Sequence, residues 1–119
     1  MVTSIDEYVN SFEGEKKAWL ETFIAFMRDN YPDIPEKISY QIPTFKWDRM
    51  YIAFSVASKH FTFHTLDFEM IEEIKPSLPE ATFGKGSAKI PFHYKAAMPV
   101  LFEVCRRIVE RSRTATPDG

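Results

Sequence analysis

The sequence has a single cysteine, Cys105, so no disulfide can form within the chain. That usage fits a reducing compartment. No apolar run approaches the ~20 residues of a membrane-spanning helix. Basic residues are not in excess: 15 Lys and Arg against 17 Asp and Glu leave a formal charge of −2. Without surplus positive charge there is no general drive toward nucleic acid or an anionic membrane. The opening Met1-Val2-Thr3-Ser4-Ile5-Asp6-Glu7 has neither the basic start nor the apolar block of a signal peptide. The expectation is a cytoplasmic protein that engages neither nucleic acid nor membrane. Internal repeats, linkers and low-complexity blocks are also missing.

What is present is an ordinary globular share of hydrophobic residues, 45%, and a heavy share of aromatics, 15%, with eleven Phe. A chain of 119 residues buries roughly two-thirds of its unfolded surface and needs no staple. One domain over residues 1–113 is expected, with a flexible tail at 114–119.

The first third reads as helix. Ser4 and Glu7 make a capping box, in which the serine oxygen takes an orphan amide and the glutamate reaches back. Ile5, Tyr8, Val9 and Phe12 then share a face. After Gly14, a longer helix is predicted over 15–30, with Trp19, Leu20, Phe23, Ile24, Phe26, Met27 and Tyr31 in a broad apolar stripe. Pro32 and Pro35 stop it.

The middle alternates. Ile38, Tyr40 and Ile42 form one face of a predicted strand, and Pro43, which lacks a ladder donor, ends it or forces a bulge. Trp47-Asp48-Arg49-Met50 is a tight turn. Strands follow at 51–57 and 60–66, where Phe61 and Phe63 outvote His60, Thr62 and His64 for the covered face. The short spacings favour antiparallel pairing. Asp67 caps a helix carrying Phe68, Met70, Ile71 and Ile74, with Leu78 beyond them, and Pro76 and Pro79 end it. Gly84-Lys85-Gly86 is a turn with glycines at positive φ. Ala88, Ile90 and Phe92 mark another strand, and Pro99 opens a last helix buried through Leu101, Val104, Cys105, Ile108 and Val109. Its exposed side offers i,i+4 pairs at Glu103–Arg107 and Arg106–Glu110. The fold class is α+β, an antiparallel sheet with N- and C-terminal helices packed on one face.

Three blocks, Ile38-Ser39-Tyr40-Gln41-Ile42-Pro43-Thr44-Phe45, Ser58-Lys59-His60-Phe61-Thr62-Phe63 and Gly84-Lys85-Gly86-Ser87-Ala88-Lys89-Ile90-Pro91-Phe92, together resemble the YdhG-like family, a domain of unknown function. The start at Ile5-Asp6-Glu7-Tyr8 and the last helix extend the resemblance over nearly the whole chain. It implies a frataxin-like layer of terminal helices on an antiparallel sheet. Some members are described as frataxin-like iron chaperones that serve iron–sulfur cluster assembly, which would make iron–sulfur assembly proteins the partners. Most have no assigned activity.

The resemblance also directs the search for a metal. Frataxins hold iron weakly on an acidic ridge, and oxygen ligands on an exposed face suit a hard, labile ion. Asp6, Glu7, Glu13 and Glu15 are the corresponding acids here, with Asp67, Glu69, Glu72 and Glu73 as a second cluster. Lys16 and Lys17 stand among the first set, unlike a purely acidic ridge. A solvated helix face with caps accounts for the same residues. His60 and His64 would lie ~13 Å apart along a strand, too far for one ion.

No catalytic signature is present, so an enzyme is not expected. Gly84-Lys85-Gly86-Ser87 lacks the rest of a phosphate loop and leads into a strand. Cys105 reads as a buried structural thiol. Ser39, Ser55 and Ser58 have no elbow or base motif. The alternative to iron handling is a non-catalytic protein- or small-ligand-binding module. Its surface would be the 43–47 segment, with Tyr40, Pro43, Phe45, Lys46, His60 and Lys85 as contact residues. Core packing of these aromatics is the competing account.

Overall fold

Helices form where caps and apolar stripes predict them. A computed structural model describes residues 4–114 and starts with α1, Ile5–Asn10, capped by the Ser4 hydroxyl accepting from the Glu7 amide at 3.1 Å. Gly14 precedes α2, Glu15–Asn30, with φ +66° and ψ −141°. Side-chain-bearing residues avoid that conformation, and open space surrounds the position, so glycine is required by the backbone alone. Asp67 caps α3, Phe68–Ile74, accepting from the Met70 amide at 3.0 Å. The last helix, α4, spans Ala97–Thr114. Thr114 therefore belongs to helix, and the rest of the expected tail, 115–119, lies outside the described residues.

The strands are β1 (Glu36–Ser39), β2 (Ile42–Trp47), β3 (Met50–Val56), β4 (His60–Thr65), β5 (Thr82–Phe83) and β6 (Ser87–Pro91). They make one antiparallel sheet in the order β1-β2-β3-β4-β6-β5. Phe45, Ile52, Phe54, Phe61, Phe63, Ala88 and Ile90 point to one face and are buried. The α2 rings of Trp19 and Phe23 pack on Phe61 at centroid distances of 5.1 and 4.8 Å, and Phe102 of α4 meets Phe23 at 4.9 Å. The helices cover the face that Phe61 and Phe63 select.

Four local expectations are corrected. The single strand ended by Pro43 is a hairpin: β1 and β2 are joined by Tyr40-Gln41, both at positive φ, 51° and 66°. Such a turn favours Asn-Gly, and neither residue is present to announce it. Pro43 sits inside β2, opposite Ile38, and pairing with β3 begins only at Thr44–Ala53. In an antiparallel ladder the donors alternate sides, so the proline faces its missing N–H to the β3 side, where no bond is made. Next, β5 is an additional short strand.

The third correction concerns the turn glycines. Neither Gly84 nor Gly86 has positive φ. Gly86 is needed for room, since a Cβ there would stand 2.6 Å from the Thr65 carbonyl and 2.7 Å from the Phe68 ring. On α4, finally, Glu103 pairs with Arg106 at 3.2 Å, while Arg107 crosses to Glu73 of α3 at 2.9 Å.

Candidate ligand-binding groove

The face turned away from the helices is carried by the alternate residues of each strand. Register aligns Lys37, Thr44, Ala53, His64 and Ser87 in one row across β1, β2, β3, β4 and β6. The neighbouring row sets Lys46 against Tyr51. Ala53 and Thr44 are short and buried, so the middle of this face is low. Around them stand Tyr40, Ile42, Lys46, Tyr51, His64 and Leu66, which with Ser39 enclose a groove of ≈ 470 Å³. That falls within the ~300–1,000 Å³ of small-molecule pockets. Two rim residues are apolar and exposed: Tyr40 at 97% and Leu66 at 43%. Solvating such surface is unfavourable, and a ligand would cover it.

The polar groups are few. His64 Nε2 lies 2.9 Å from Ser55 Oγ on the adjacent strand. Burial lowers the His64 pKa below the ordinary histidine value, so the ring is neutral at pH 7. Lys46 is exposed and its Nζ meets the Asp48 carbonyl at 3.4 Å. The residues lining the groove include no Asp or Glu.

The depressed His64 pKa has a consequence for stability. The folded state binds this proton less readily than the unfolded chain, so its contribution is complete above the unfolded value and is lost as pH falls through the folded one. Thermal melts between about pH 7 and about pH 5, above most carboxylate titration, are expected to show a falling Tm, with a shallower slope in His64→Asn. Equal slopes would mean that the ring protonates without cost.

The expected contact residues divide. Tyr40 and Lys46 line the groove. Pro43 and Phe45 are buried on the opposite, helix-covered face, because neighbours along a strand point to opposite sides. Trp47 is also buried and donates from Nε1 to Ser112 Oγ at 2.8 Å. His60 shares the open face but lies at the far end of β4, opposite Pro91. Lys85 stands in the β5–β6 turn, its Nζ 5.1 Å from the centre of the Phe68 ring. Ser55, His64 and Leu66 are additions to the expected contact residues. The parity of Ser55 and His64 on adjacent strands is the signal that could have found the pair.

The acids expected to hold iron are spread apart. Asp6 pairs with Arg28 at 3.3 Å, and Glu15 with Lys95 at 3.2 Å. Glu13 and Glu15 border one shallow depression beside Lys16, whereas Asp6 borders another beside Arg28. Among the described residues, no three His, Cys, Asp or Glu side chains are grouped to hold a metal ion. Cys105 is fully buried, and burial pushes its thiol pKa up, so it is inert as a nucleophile. No described helix is long and apolar enough to cross a membrane.

No family model matches the chain, and no curated protein does. Among solved structures, the crystal structure of YdhG, a DUF1801-family protein from Bacillus subtilis, is similar. It superposes with a TM-score of 0.75 at 17% identity, covering 94% of each chain. At that identity the likeness is one of fold.

Proposed function

We propose that the chain is a YdhG-like domain of non-catalytic role, a small-ligand-binding module that uses the open face of its sheet. The observation that carries this reading is the ≈ 470 Å³ groove floored by Thr44 and Ala53 and walled by Tyr40, Ile42, Tyr51 and Leu66. A concave, largely apolar site with a few polar groups is the usual form of a ligand pocket. The Ser55–His64 hydrogen bond fixes the imidazole at its edge. It does not amount to a nucleophile: no carboxylate lines the groove to orient the ring, and backbone donors of paired strands are engaged in the ladder.

The frataxin-like iron-delivery reading has a poorer donor set, because Asp6 and Glu15 are each committed to a cation on a different part of the surface. Amide chemical-shift mapping separates the two readings. A library of small amphipathic fragments is expected to move the Thr44, Ala53 and His64 amides. Fragments that leave these amides still would remove the groove reading. Anaerobic ferrous ion that shifts amides around Asp6, Glu7, Glu13 and Glu15 would restore iron handling.

A further inference from the structure

Resting on the ligand-binding reading, we propose that the groove selects a small monoanion, an apolar flat body bearing one carboxylate that Lys46 holds. The chain as a whole is acidic, with a formal charge of −2. Its charges are nevertheless segregated. By strand parity and register, the open face of the sheet presents Lys37, Lys46 and Lys89 together with His60 and His64. No Asp or Glu shares that face: Glu36, the one acidic residue in the strands, points to the helix side and binds Arg28 at 2.6 Å. A net charge summed over the chain hides a locally positive surface.

Lys46 is the cation at the groove itself. Some surface cations are matched by carboxylates, as in Lys75–Glu72 at 2.8 Å, Lys95–Glu15 at 3.2 Å and Arg113–Asp33 at 2.6 Å, whereas the lysines of the open sheet face are not matched by any among the described residues. Among the described residues no carboxylate lies within ion-pair distance of Lys46. Its ammonium reaches only a backbone carbonyl, at a long 3.4 Å. A single ammonium is a compact point charge that balances one negative charge, so a monoanion such as a carboxylate matches it, whereas a phosphate dianion would be left half neutralised. His64, neutral at pH 7, adds a polar edge without a second charge. The remaining walls, Ile42, Tyr51 and Leu66, suit an aromatic or short aliphatic body.

The test uses three probes of one shape and different charge: 4-phenylbutyrate, 4-phenylbutanol and 4-phenylbutylamine. Binding is measured by amide shift titration on the full chain at pH 7. The carboxylate is expected to bind about tenfold more tightly than the alcohol, and the amine more weakly still. Lys46→Gln should bring carboxylate and alcohol together, and Lys46→Arg should keep the preference. Leu66→Ala should weaken all three alike. Equal affinities in the wild type, or a preference that survives Lys46→Gln, would overturn the anion assignment while leaving the ligand groove standing. If none of the three moves the Thr44, Ala53 and His64 amides, both the assignment and the groove reading fail.

Discussion

Phe61→Ala is expected to lower the unfolding free energy by about 3–5 kcal/mol, a large part of the ~5–15 kcal/mol that holds a domain together. Phe61 is 0% exposed and stands where sheet and helices meet. Its ring lies 5.1 Å from Trp19, 4.8 Å from Phe23 and 5.7 Å from Phe54. Truncation removes apolar area and leaves a ring-sized void that three rigid neighbours cannot close. It also breaks aromatic contacts worth ~0.5–1.5 kcal/mol each beyond area. The loss should appear in urea titration as a lower midpoint with an unchanged slope. Phe61→Leu, which fills most of the volume, should recover over half of it. A loss under about 1 kcal/mol would mean that the site collapses or that the ring is not central to the core.

The parts of the fold that could be read in advance are those whose causes are local. Ser4 and Asp67 cap helices through their own side chains, and both do so here. The stripe from Trp19 to Met27 faces inward because helical spacing leaves it no other way to be buried. The β1–β2 hairpin has the opposite character. Tyr40 and Gln41 adopt left-handed backbone without glycine or asparagine, at a cost the local sequence gives no reason to accept. What compensates lies elsewhere in the chain: β2 is bonded on both sides, to β1 and to β3. Turn chemistry alone therefore mistook a hairpin for one interrupted strand. Pro43 does not end its strand: β2 runs through it with β1 paired alongside, and only the pairing with β3 stops short of it.

The groove was harder to see because it depends on relations between strands. Strand alternation alone requires Phe45 and Lys46 to face opposite ways, so a surface using both was never available. Which of them faces outward follows only once the helices are seen on the Phe61 side. The low floor needs Thr44 and Ala53 opposite one another, which is a matter of register. Charge was misleading for a similar reason. The acids other than Glu36 lie outside the strands, and the balance of −2 says nothing about a sheet face that carries lysines and no carboxylate.

Phe45→Ala and Lys46→Ala, adjacent in sequence, should consequently behave in opposite ways. Phe45 is 1% exposed and packs 6.1 Å from the Phe54 ring, so its truncation should cost about 3–5 kcal/mol. Lys46 is exposed, and its alanine variant should stay within about 0.5 kcal/mol of wild type. Binding should divide the other way. Below its unfolding transition, Phe45→Ala should keep the carboxylate preference of the groove, because the missing ring lies beneath the sheet. Lys46→Ala should lose that preference with its melting curve unchanged. Both quantities come from denaturation curves and probe titrations on the same two proteins. The reverse result, a stable Phe45→Ala that no longer binds and a destabilised Lys46→Ala, would place Phe45 in the groove. It would also move β2 by one residue, since a one-residue slip exchanges every side chain between the two faces of a strand.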